Sequence, residues 1–115
     1  MGDVGDSIKA NNANWTFSGE VSKTFGQHVS KSVPLYHEGH NLIAKISDYF
    51  LQESSLCYDL GCSTGELTRI LAARNRNKDV QFIAIDREDG MVEEARGKCK
   101  DFTNVKVIKS DLIEI

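Results

Sequence analysis

The stretch YDLGCSTGELTRIL, Tyr58–Leu71, holds three kinds of local signal in one short span. A brief apolar run, LCYDL at Leu56–Leu60, reads as a buried strand that stops at Gly61. GCSTG then places Gly61 and Gly65 where the backbone can bend sharply and approach a ligand that a Cβ would obstruct. ELTRILAAR follows as a helix with Leu67, Ile70 and Leu71 on one face. Strand, glycine turn and helix form the opening unit of an α/β fold, whose ligands sit beyond the carboxyl ends of parallel strands.

Further along, VQFIAID (Val80–Asp86) is nearly continuous in apolar residues, as expected of a parallel strand with helices over both faces. DGMVEEARGKCK (Asp89–Lys100) reads as a second helix. Glu93 and Glu94 lie in its early turns and Lys98 and Lys100 near its end, an order that suits the helix dipole. Glu94 and Lys98 are spaced for an i,i+4 ion pair. NVKVIKSD (Asn104–Asp111) is the third strand. The βαβαβ order predicts a right-handed, Rossmann-like parallel sheet.

Upstream, residues 1–14 are polar and are expected to form a mobile tail. Val21, Phe25 and Val29 recur every four residues, a short helix with Ser18 as its N-cap. Pro34 interrupts, because it cannot continue a helical hydrogen-bond ladder. A longer helix is expected over His37–Gln52, with Leu42, Ile43, Ile46, Tyr49 and Phe50 as its apolar stripe. The division is thus a tail at 1–14, helices at 15–53 and a βαβαβ unit at 54–115.

Composition narrows the class. The 115 residues suit one core, 40% are hydrophobic, and no apolar run approaches the length of a membrane span. No charged-then-apolar leader opens the chain, so a cytoplasmic protein is expected. Cys57, Cys62 and Cys99 lack CxxC spacing and read as reduced, core-filling thiols. Cys62 in particular has no nearby basic residue to make it a nucleophile. The net charge of −3 argues against a broad nucleic-acid-binding face on this segment. His37 and His40 form an H-x-x-H pair without a carboxylate or thiol at metal-ligand spacing, so no metal site is expected.

The turn itself discriminates between ligands. A dinucleotide site wants GxGxxG, its second glycine admitting the pyrophosphate, and Ser63 stands there instead. Asp59, Gly61, Ser63 and Gly65 fit D-x-G-x-S-x-G, a variant of the first motif of class I S-adenosylmethionine (SAM)-dependent methyltransferases. Asp59 is placed to help hold the ligand's ammonium group. Asp86, ending the second strand, is placed to accept two hydrogen bonds from a ribose diol. After the third strand, the Asp111 carboxylate suits the adenine amino group and the Leu112 amide a ring nitrogen. Structural roles stay open beside these: a plain strand-to-helix connection at Gly61–Gly65, a helix cap at Asp86 and an ordinary turn at Asp111.

NWTFSGEVSKTFGQHVSKSVPLYHEGHNLI, followed by YDLGCSTG, resembles the carboxy-S-adenosylmethionine synthase family, methyltransferase-like enzymes that supply bacterial tRNA wobble-uridine modification. The resemblance implies SAM as cofactor and prephenate as carboxyl donor. It also implies that Tyr36 reaches the ligand, that Gly61, Cys62 and Ser63 form its turn, and that Asp86 with Arg87 contacts the ribose. Asp111 and Leu112 match the adenine-contacting pair, whereas Arg87 stands where the family typically has Asn. The complete family fold is seven-stranded, and its later strands bring the acceptor pocket and an arginine to which no residue here corresponds. The expectation is therefore the cofactor-binding half of the fold, three strands with N-terminal helices, and no assigned catalytic residue. An ordinary methyltransferase, a non-catalytic SAM-binding module and an interaction domain remain alternatives. With strand order 3-2-1, Leu56–Leu60 would be an open sheet edge, and self-association through it is expected.

Overall fold

A computed structural model describes residues 34–114; the expected tail and the short helix around Phe25 lie outside the described residues. In chain order the elements are α1 (Tyr36–Phe50), β1 (Leu56–Leu60), α2 (Glu66–Arg74), β2 (Gln81–Asp86), α3 (Asp89–Lys98), β3 (Val105–Lys109) and a 3-10 turn at Leu112–Glu114. The three strands form one sheet in the order β1-β2-β3. Both pairings are parallel, from Leu56↔Gln81 to Leu60↔Ile85 and from Phe82↔Val105 to Asp86↔Lys109. This register brings the carboxyl ends of the strands, and the loops that follow them, to one side.

Alternation along the strands decides what is buried. Cys57, Phe82 and Val105 form one cross-strand row, and Asp59, Ala84 and Val107 the next. Phe82 packs with Val80, Leu71, Ala72 and Ala44, with Leu67, Ile70 and Phe102 around them. Ala84 packs with Ala95, Cys62 and Val107. Burying a side chain such as Phe82 contributes about 1.5–3 kcal/mol before entropy is charged against it. The other face is open at β1: Leu56, Tyr58 and Leu60 are 53%, 52% and 58% exposed. Neither core cluster includes them. VQFIAID therefore reads as covered on two faces, whereas the described helices cover mainly one.

The α1 stripe corrects a second expectation. Leu42, Ile43, Ile46, Tyr49 and Phe50 are exposed, and Ala44 and Ser47 face inward instead. The inner seam is held by polar contacts that periodicity does not report. Asn75 Nδ2 donates to Ser47 Oγ at 3.0 Å, and the Arg74 guanidinium grips Asp48 through two bonds of 2.8 Å. Small residues let α1 approach α2 closely enough for these bonds, so the bulkier stripe faces away. The Glu94–Lys98 pair is also replaced, since Lys98 Nζ reaches Glu66 Oε2 at 3.0 Å on the neighbouring helix. Among the described residues no helix is long and apolar enough to cross a membrane.

Candidate functional site

The turn after β1 owes its shape to three alternate residues with left-handed backbone: Gly61 (φ 74°), Ser63 (φ 53°) and Gly65 (φ 80°). Two are glycines, which adopt this region without strain; Ser63 does not. A hydrogen bond holds it there. The Asp86 carboxylate accepts the Ser63 N–H through Oδ2 at 2.9 Å and the Glu88 N–H through Oδ1 at 3.0 Å. One side chain at the end of β2 thus fixes both its own exit loop and the turn after β1.

The turn's other amides are largely committed as well. Gly61 N–H and Cys62 N–H both donate to the Ile85 carbonyl at 2.8 Å, and Gly65 N–H donates to Cys62 O at 2.9 Å. Gly65 serves packing rather than ligand approach: a Cβ there would lie 2.8 Å from Ala95 Cβ and 2.9 Å from its Cα. Gly61, by contrast, has open space around its missing side chain.

Above the turn lies a cleft of about 160 Å³ lined by Tyr36, His40, Asp59, Gly61, Cys62, Ser63, Thr64, Glu66 and Leu67. Asp59 Oδ2 accepts the Thr68 hydroxyl at 2.6 Å, so a buried threonine orients the carboxylate at the rim. Glu66 is neutralised by Arg69 and Lys98, whose hydrogen bonds hold its carboxyl at about 2 despite partial burial. Burial, reinforced by Asp59 and Asp86, pushes the Cys62 thiol up to about 12. Cys62 therefore fills space as a protonated thiol and cannot act as a nucleophile near neutral pH.

Helix α1 forms the opposite wall. The Tyr36 and His40 rings lie 4.4 Å apart between centroids, one helical turn from each other. Burial raises the Tyr36 hydroxyl above its ordinary range, aided by Glu66 and Asp59. Burial also lowers the His40 imidazole, with His37 adding to it against the opposing pull of Glu66 and Asp59. Among the described residues, His40 Nδ1 is buried without a hydrogen-bond partner.

The cleft thus brings together Tyr36, Asp59, Gly61, Cys62 and Ser63 from the sequence candidates, and Asp86 joins them through the Ser63 amide. Gly65 stands behind the turn. Arg87 is exposed and lies 3.3 Å from Glu88. Asp111 and Leu112 follow β3, the Asp111 carboxylate accepting the Ile113 N–H at 3.1 Å. They do not line the cleft; a ligand spanning all these positions must extend from the turn across the ends of β2 and β3. His40, Thr64, Glu66 and Leu67 are lining residues the sequence reading missed. For His40 the signal was its i+4 spacing from Tyr36, which puts both on one face of α1.

The methyltransferase domain family matches residues 53–115, more than half of the chain. The carboxy-S-adenosyl-L-methionine synthase of Pectobacterium atrosepticum is 35% identical over 92% of this chain and 44% of its own length. The protein of that name from Yersinia enterocolitica is 34% identical over 88% of this chain and 39% of its length. Among solved structures, a candidate SAM-dependent methyltransferase from Methanococcus maripaludis superposes with a TM-score of 0.68. It does so at 24% identity, over 87% of this chain and 45% of its own. A SAM-dependent methyltransferase from Thiobacillus denitrificans, solved with S-adenosyl-L-homocysteine, gives a TM-score of 0.52 at 21% identity, over 72% of this chain and 35% of its own. The chain belongs to the methyltransferase domain family and has the Rossmann-like α/β fold of its SAM-dependent members. In sequence it resembles the carboxy-SAM synthases, and it spans less than half the length of those relatives.

Proposed function

We propose that this chain is the SAM-binding part of a methyltransferase-type enzyme of the carboxy-SAM synthase kind. The observation that carries the reading is the Asp86-locked glycine turn beneath a cleft holding Tyr36 and Asp59. The residues fit the ligand. At about 160 Å³ the cleft is smaller than the roughly 300–1,000 Å³ of a whole-ligand site, so it suits the amino-acid end alone. The Asp59 carboxylate faces that end's ammonium, and the remaining lone pairs of Asp86 face the ribose. Asp111 and Leu112 take the adenine beyond β3, with Arg87 beside the ribose. When bound, SAM supplies an electrophilic sulfonium methyl; the chain's part is to hold it and limit water around it.

By similarity to the synthases, the further substrate is prephenate and the setting is tRNA wobble-uridine modification in the cytoplasm. We also propose that the open β1 edge, Leu56–Leu60, lets two copies associate. The first test is calorimetric titration of the purified chain with SAM, with Asp86→Ala as control. Micromolar binding lost in the variant supports the reading; no binding by a folded wild-type chain sinks it and leaves an interaction domain.

A further inference from the structure

Helix α1 presents an apolar stripe that neither core cluster of the described residues includes. Leu42, Ile43, Ile46, Tyr49 and Phe50 face away from Ala44 and Ser47, and Tyr49 and Phe50 are 82% and 75% exposed. A contiguous patch of this kind marks an interaction surface, since monomeric proteins rarely leave one bare. The chain itself supplies a matching strip. Ahead of Pro34, outside the described residues, Phe17, Val21, Phe25 and Val29 recur every four residues. Phe25 and Leu42 lie equally far from the Val33–Pro34 bond; so do Val21 and Ile46, and Phe17 and Phe50. Two helices folded back about that bond bring these positions level, because both rise equally per residue. The chain turns there: Pro34 and Leu35 form a turn directly before α1, and Leu35 has a left-handed backbone (φ 60°) that costs a leucine energy. Gly19 and Gly26 make the upstream strip a weak helix former, so it gains order chiefly by docking an apolar face.

We propose that residues 15–31 cover the α1 stripe as an antiparallel helix, with Phe25 against Leu42, Val21 against Ile46 and Phe17 against Phe50. The occupant is a segment of the same chain, tethered at Pro34 beside the surface it covers. Docking is then intramolecular, and the high effective concentration favours it over a second copy. Helix α1 is held from two sides, by Arg74 and Asn75 on its inner face and by this helix on its outer one. The wall that carries Tyr36 and His40 is thereby braced from behind. The contact does not depend on what the cleft binds.

Trp15, the chain's single tryptophan, reports the contact because it lies just beyond Phe17, at the Phe50 end of the stripe. Its quenching by acrylamide is measured in the full chain, in Val21→Asp, in Ile46→Asp and in the double variant, with Leu60→Asp on the open sheet face as control. Wild type and Leu60→Asp should shield Trp15 equally. Either charge at the contact should raise quenching several-fold, to the level found in urea, while circular dichroism keeps the strand signal. The double variant should add nothing, since the helix is already undocked. Tyr49→Asp, at a more exposed side chain of the same stripe, gives the reading if Ile46→Asp fails to fold. A wild-type Trp15 as open as in urea would overturn the proposal, and so would shielding that survives a folded stripe variant. Shielding that fades on dilution would assign the stripe to a second copy and overturn it as well.

Discussion

The Asp86 carboxylate accepts the Ser63 amide at 2.9 Å, joining the end of β2 to the turn that follows β1. Both carboxylate oxygens are engaged, since the second accepts Glu88 N–H at 3.0 Å. A residue that sequence logic places on a ribose is therefore also the clasp of the glycine turn. Asp86→Ala should lower unfolding stability by about 1–3 kcal/mol, because two amides lose their acceptor and Ser63 is left in a strained backbone region. Asp86→Asn, which still offers one carbonyl oxygen, should cost less. Urea denaturation of the three proteins checks the order; equal midpoints for wild type and Asp86→Ala would refute the clasp.

Gly65 is a second clasp of a different kind. A methyl group there meets Ala95 at 2.8 Å on a backbone with φ 80°. Gly65→Ala should therefore destabilise the chain by about 2–4 kcal/mol, overpacking and left-handed strain acting together. Adding Ala95→Gly removes the contact with the Ala95 Cβ but leaves its Cα 2.9 Å away and the left-handed strain in place, so thermal melts should show partial recovery only. Full recovery would mean that the backbone conformation costs nothing.

Much of this was legible in the sequence, and for physical reasons. Leu56–Leu60 and Glu66–Arg74 are bounded by glycines and charge changes, so β1 and α2 begin and end where the residues say. The α1 stripe was not legible, because Leu42, Ile46 and Tyr49 have the same period as His40, Ala44 and Ser47; which side turns inward depends on Asn75 and Arg74, far along the chain. The turn motif was legible as a pattern, but its internal use of four amides was not. That use leaves the cleft's Tyr36, His40 and Asp59 side chains, and the Thr64, Glu66 and Leu67 backbone, as its remaining polar lining.

Acid sensitivity should centre on Glu66. Arg69 and Lys98 hold its carboxyl at about 2, below the ordinary 4.5, so the folded state binds a proton less readily than the unfolded one. Its stabilisation is present above pH 4.5 and is lost as pH falls from there through about 2. Because Arg69 and Lys98 are partly exposed, solvent screening leaves about 1 kcal/mol of this. Glu66→Gln should remove that part of the acid dependence; identical stability profiles for both proteins between neutral pH and pH 2 would exclude it.

Thiol chemistry gives a sharper readout. Burial raises all three cysteines, Cys62 to about 12, and Cys62 and Cys99 are 6% and 3% exposed. Alkylation near pH 8 should be slow in the native chain, with Cys62 requiring unfolding, whereas denatured chain should label at all three. Rapid native labelling of Cys62, read by peptide mass spectrometry, would mean that the cleft floor opens far more readily than its packing implies.

The edge at β1 makes the last prediction. Its outward residues Leu56, Tyr58 and Leu60 are each more than half exposed, and β2 pairs with only one side of the strand. An antiparallel meeting of two copies centred on Tyr58 would place Leu56 of each opposite Leu60 of the other, joining two apolar faces across one continuous sheet. The pattern is self-complementary, as a two-fold interface requires. Strand groups left unpaired among the described residues and exposed apolar side chains then favour association together. Sedimentation velocity of the wild type should show a concentration-dependent dimer, and Tyr58→Lys should shift it toward monomer, since two like charges would face each other at the two-fold axis. The cleft lies on the other side of the sheet from Tyr58, so SAM affinity should stay unchanged in that variant. A wild type that remains monomeric at high concentration, or a Tyr58→Lys dimer as stable as the wild type, would remove β1 as the interface.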